Sequence, residues 1–178
     1  REHAALKGLP RTDVGVMYAR GTTLGNPGAA MTAKQVNYDF TRGADGSLNW
    51  TVNAQAASAG LQWGKLLTAG LRTDGGATSG TGVDGGAGST YGAQAFLQLT
   101  ALTGTNVVVT VQESSDNGGT DPWASVLAFD SATSARTTQY KAVTGAVERY
   151  VRVTTSGVFT SATFAVLFVR NEAEAFAS

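Results

Sequence analysis

Apolar side chains in this chain recur at every second position and almost nowhere at every third or fourth. A period of two puts alternate residues on opposite faces of an extended strand, so the pattern selects β-structure and argues against helices. Three early segments carry it: "DVGVMYA" (13–19), "AKQVNYDF" (33–40) and "SLNWTVNAQA" (47–56). The last two flank "TRGADG", whose Asp45-Gly46 pair is a hairpin-turn signal because glycine tolerates the positive φ of tight turns. In the third segment Leu48, Trp50 and Val52 share one face, and Ser47, Asn49, Thr51 and Asn53 share the other. The expectation is a half-buried antiparallel hairpin.

The second half reads as six more strands: "AQAFLQLTAL", "TNVVVTVQE", "ASVLAF", "TTQYKAV", "RYVRVTT" and "ATFAVLFVR". Val107, Val109 and Val111 share a face, and Val151 and Val153 point inward from Tyr150, Arg152 and Thr154. "ATFAVLFVR" is apolar on both faces, as a strand covered on both sides would be. Turns recur at the spacing of a β-sandwich. Between the halves, "GLQWGKLLTAGLRTD" (60–74) fits a short helix carrying Leu61, Leu66 and Leu67, or a strand; strand or irregular structure is preferred. "GGATSGTGVDGGAGSTYG" (75–92) has eight glycines and little to bury, and reads as a flexible loop. The predicted organisation is all-β. Residues 1–60 form an N-terminal arm and β-hairpin, a partial barrel used for assembly. Residues 61–178 form a β-sandwich of jelly-roll type.

Composition narrows the function. The 178 residues carry 13 basic and 13 acidic groups, split eight and six over residues 1–90 and five and seven over 91–178. No basic excess points to nucleic acid. Only 15% of residues are charged, a level suited to faces that another subunit covers. A neutral secreted β-domain is the alternative. There is no cysteine, which removes disulfides, thiol catalysis and thiolate metal sites. No apolar run approaches the roughly 20 residues of a membrane-spanning helix. The chain begins with Arg1 and shows no signal peptide, which points to proteolytic maturation or to a longer protein.

Chemistry-bearing motifs are sparse. "QESSDNGGTDPWASV" (112–126) combines acids, glycines and a tryptophan. It reads first as a hairpin loop, with Asp and Asn bonding back to nearby amides and Trp123 plugging the sandwich edge. Two ligand readings stand beside it. Asp116, Asn117 and Asp121 would cluster on calcium, although the spacing of an EF-hand loop is not met. Alternatively Trp123 would stack on a pyranose while Asp116 and Asn117 bond its hydroxyls, making a glycan the partner. His3 beside Glu2 lacks a positioned partner. "GATSGTGVDGG" lacks the Lys-Ser/Thr of a phosphate loop, and no G-x-S-x-G elbow, HExxH motif or carboxylate pair is present. No enzyme, cofactor or metal is expected. Arg149 and Arg152 read as a solvated or cross-strand-paired face.

Two resemblances bear on function. "ALKGLPRTDVGVMYARGTTLGNPGAAMTAKQVNYDFTRGADGSLNWTVNAQA" with "GLQWGKLLTAGLRTD", and later "ESSDNGGTDPWASV", "ERYVRVTT" and "TFAVLFVRNE", resemble virion structural proteins of tailed actinobacteriophages, of the major tail or tail tube type. Over residues 93–170, "VTVQESSDNGGTDPWASV" and "RYVRVTTSG" are similar to jelly-roll domains of the discoidin and carbohydrate-binding-module kind. The resemblances imply a virion protein: a self-assembling tail tube subunit bearing an outward sandwich, whose partners are copies of itself and other virion proteins. They also imply that "REHAALKGLPRTD" is an assembly arm. The alternatives are a capsid decoration or fibre protein, and a carbohydrate-binding module.

Overall fold

The computed structural model describes residues 13–57 and 60–172. His3 and most of the arm segment 1–13 lie outside them. Eleven strands follow in order: β1 (Val14–Ala19), β2 (Pro27–Arg42), β3 (Leu48–Ala56), β4 (Gln62–Leu66), β5 (Arg72–Asp74), β6 (Thr78–Ser79), β7 (Val83–Asp84), β8 (Ala93–Ser114), β9 (Ala124–Ala128), β10 (Thr137–Val143) and β11 (Tyr150–Arg170). The fold is all-β, and every pairing is antiparallel within one sheet of order β1-β2-β4-β11-β8-β10.

The spine is the β8–β11 pair, in register from Tyr150↔Ser114 to Arg170↔Ala93. Register shifts near Val158, Phe159 and Thr163 bend it. Gly104 sits opposite Phe159 at φ 140°, and a Cβ there would lie 2.4 Å from the Phe159 Cα. Only glycine fits this corner. Both halves of the ribbon feed one core: Leu97, Leu99, Phe164 and Val166 from one, Val107, Val109, Val111, Val151 and Val153 from the other. The sheet therefore folds over on itself as a sandwich. Leu127, Phe129 and Val147 complete the core.

The opposite face of the same strands packs a second, smaller core of Ala30, Leu66, Phe96, Leu167 and Val169, with Met17 against it. Phe96 and Leu167 are cross-strand partners, as are Leu167 and Leu66. The apolar run "FAVLFV" thus buries both of its faces. Around this second core the sheet curls until β1 meets β10, where the Gly15 N–H donates to Thr138 Oγ1 at 3.1 Å and Gln98 Nε2 donates to the Gly15 carbonyl at 2.8 Å.

β2 crosses residues 27–33 inside this body, pairing with β1 on one edge and β4 on the other, and then runs on with β3 as a two-stranded arm. The turn at its tip is built as "ADG" predicts: Gly46 has φ 84°, and the Ser47 N–H donates to Asp45 Oδ1. Segment 60–74 is β4 and β5 joined by irregular chain, not helix.

The glycine-rich stretch 75–92 is ordered against β11, where the sequence suggested a flexible loop. β6 pairs with Thr154–Thr155, β7 with Tyr150–Val151, and Ser89 bridges Val147. Several of its glycines are there for close approach: a Cβ at Gly85 would lie 2.7 Å from the Arg149 carbonyl oxygen. Two charged clamps hold it. Arg72 forms paired 2.7 Å bonds to the buried Asp74, which also accepts from Thr155 Oγ1 at 2.7 Å. Arg149 pairs with Asp84 in the same two-pronged way.

Candidate functional site

The loop singled out by sequence is a self-contained turn. The Asp116 carboxylate accepts from the Gly119, Thr120 and Asp121 amides, and Asp121 Oδ2 accepts from the Ser115 amide at 2.7 Å. These donors hold both carboxyls below their ordinary range, the Thr120 amide acting most on Asp116 and the Ser115 amide on Asp121. Buried Ser114 Oγ accepts from the Gly118 amide. Asn117 takes the left-handed conformation, φ 66°, that asparagine tolerates. Both carboxylate oxygens of Asp116 and Oδ2 of Asp121 are thus committed to amides. Among the described residues, no group of three or more His, Asp or Glu is placed to hold a metal.

Trp123 is half-buried. The Arg152 guanidinium lies 4.4 Å from the centre of its ring, so that face is closed to a sugar. Gly82 and Gly118 pack so near the indole that neither has room for a Cβ. The four loop residues come together, but around their own backbone and a neighbouring arginine. Glu148 stands nearby with its pKa raised, first by desolvation and then by Asp121. Arg152 donates from Nε to Gln112 across the strand pair, and Arg149 is taken up by Asp84.

The feature without an internal explanation is the arm. Every residue of β3 is exposed. The register places Trp50 opposite Phe40 and Leu48 opposite Arg42, and partners in register share a face. One face of the ribbon therefore carries Phe40, Leu48, Trp50, Val52, Ala54 and Ala56, with Arg42 beside Leu48 at the tip and Gln35 beside Ala54. The other carries Asp39, Thr41, Asn49, Thr51, Asn53 and Gln55. Such amphipathic alternation ordinarily marks a strand pair lying on a core. Here Phe40 is 63% exposed and Trp50 45%. The expected half-buried hairpin is uncovered among the described residues of one copy.

That face continues onto the body. A bulge at Val36 shifts the register, and on the body side Ala56 pairs with Ala33 and Ala33 with Val14. Stepping by two along β1 gives Val16 and Tyr18, paired with Met31 and Ala29, and Ala29 pairs with Trp63 of β4. Tyr18 and Trp63 meet edge to face at 6.4 Å above the buried Ala29. Both rings remain more than half exposed. A contiguous outer sheet face thus runs from Trp63 and Tyr18 out to Trp50 and Phe40.

Sequence reasoning had singled out none of Tyr18, Met31 and Trp63 for this face. The alternation of "VGVMYA" placed Tyr18 with Val14 and Val16, but it could not say which face turns outward.

Beside this face lies a groove of about 620 Å³ at the open edge of β1, lined by Val16, Met17, Ala19, Leu71, Gln98 and Ala165 among others, with no charged residue. Gly15, Met17 and Ala19 turn their backbone groups towards it, since the alternate residues bond β2. Only Gly15 finds partners there among the described residues.

No family model matches the chain, and no curated protein or solved structure matches it.

Proposed function

We propose that the chain is a structural, non-catalytic subunit that self-associates, and that its place is the virion of a tailed phage, as a tail tube component. The observation that carries self-association is the uncovered apolar sheet face running from Trp63 and Tyr18 to Trp50 and Phe40. A soluble chain keeps such a face only where something covers it. The arm's polar reverse, unlike a core strand, is built to stay wet. The low charge of the chain supports the same reading. The virion assignment rests on the resemblance of the segments quoted above to tailed-phage proteins.

Sedimentation velocity over a concentration series, with negative-stain micrographs of the same samples, tests the proposal. Concentration-dependent growth into rings or open tubes of constant bore is the expected result. A chain that stays monomeric up to its solubility limit refutes self-association. A small closed oligomer that never extends refutes the tube.

A further inference from the structure

We infer that the β2–β3 arm of one copy docks in the β1-edge groove of the next, so that the self-association contact joins two different surfaces. This inference rests on the self-associating role proposed above and names the donor and acceptor surfaces for it.

Three observations lead to it. The first is the character of β3. Its outer edge pairs with nothing among the described residues, and its sequence, "LNWTVNAQA", holds no charge and no proline. Edge strands that must stay apart carry lysine, proline or an inward charge. β3 has none of these devices, so its edge is free to pair.

The second observation is the acceptor. The groove presents the unpaired backbone groups of Met17 and Ala19 along an uncharged, largely apolar lining, with the exposed side chains of Val16 and Leu71 at its rim. An incoming strand finds hydrogen-bond partners and apolar cover together, as strand addition requires.

The third observation is size. Phe40, Leu48, Trp50 and Val52 offer roughly 400 Å² of exposed apolar surface, taking about 150–250 Å² for a full aromatic side chain. A stable contact takes about 800 Å² from each partner. The arm's apolar side chains alone fall short of that, so a stable contact must take in surface beyond the arm, and Val16, Leu71 and Tyr18 around the groove supply it on the acceptor side. Because arm and groove are distinct surfaces of one chain, each copy offers both at once. Such a contact closes a ring, of which two copies exchanging arms is the smallest, or extends a filament.

Two single variants of the full chain test it. Trp50→Asp disables the arm and leaves the groove; Leu71→Glu disables the groove and leaves the arm. Both positions are exposed, and unchanged circular dichroism and melting temperature confirm that each variant folds. Each variant alone is expected to lose association by about 100-fold or more. Mixed in equal amounts, they are expected to form one-to-one dimers that grow no further, since one good arm meets one good groove. If Leu71→Glu assembles as the unaltered chain does, or if the mixture stays monomeric while the unaltered chain assembles, the arm docks elsewhere and the inference falls. An unaltered chain that never assembles instead overturns the self-associating role itself.

Discussion

Replacing Asp74 by Asn is expected to destabilise the fold far more than replacing Asp74 and Arg72 together. Asp74 is 4% exposed, and its carboxylate receives two 2.7 Å bonds from Arg72 and one from Thr155. The Asn variant keeps the shape and removes the charge, leaving a guanidinium in a largely closed site with no anion. Breaking one side of a buried pair costs about 3–5 kcal/mol. The Arg72 side chain retains 16% exposure, so the lower end, about 3 kcal/mol, applies. For a chain of this length that is a fall of roughly 6–12 °C in melting temperature. The double variant Arg72→Met/Asp74→Leu removes both charges and keeps packing against Phe164, over whose ring the guanidinium lies at 5.5 Å. It is expected to come within about 1 kcal/mol of the parent. Urea unfolding at neutral pH, in low and in 1 M salt, measures all three, and salt should not change the order because the pair is shielded. A loss below about 1 kcal/mol for Asp74→Asn, or a double variant no more stable than Asp74→Asn, would refute the account of this clamp.

Gly104→Ala should cost at least about 2 kcal/mol, because the new Cβ would collide with the Phe159 backbone at a positive φ; thermal melting reads it. Trp50→Ala exposes nothing buried in the single copy, so it should leave the melting temperature alone and weaken self-association by about 2–3 kcal/mol, seen in sedimentation. Acid should destabilise the chain progressively below about pH 4. Arg149 holds Asp84 far below the usual carboxylate range, and backbone amides lower Asp116 and Asp121. Below the ordinary value of 3.8 the unfolded chain takes up protons these folded carboxylates refuse, so their contribution is present above that pH and lost beneath it. Glu148 acts in the opposite sense, since its raised pKa favours the protonated form in the fold; Glu148→Gln should therefore raise the melting temperature at neutral pH and change little near pH 4. Trp123→Ala should lower stability by about 2 kcal/mol through loss of the Arg152 stack, with no retention of either form on a polysaccharide column.

Alternation alone located β1, β3 and β10 almost to the residue, because each is short and regular. It missed residues 27–32 of β2. "PGAAMT" has poor strand propensity, yet Gly28 has no room for a side chain between the Tyr18 carbonyl and Leu167, so small residues are what that packing demands. Local pattern also split β8 and β11 into four strands. Gly104 and Gly157 lie between the segments so divided, yet the ladder runs through both at positive φ. The glycines of 75–92 misled for a related reason: composition cannot distinguish glycine chosen for freedom from glycine chosen for proximity. In the arm, the face bearing Leu48, Trp50 and Val52 was legible from spacing two, but its exposure was not. Burial depends on what lies opposite, and among the described residues nothing within the same copy does.

β11 pairs with β4, β5, β6, β7 and β8, and all five are synthesised before it. At about 5–20 residues per second, several seconds pass between the emergence of the first of these strands and the arrival of their common partner. During that interval Leu97, Val109 and Val111 lack Val151, Val153, Phe164 and Val166, the β11 side of their core. The central strand of the sheet is therefore the last of its neighbours to be made, and the ladder cannot close before residue 170 is free to pair.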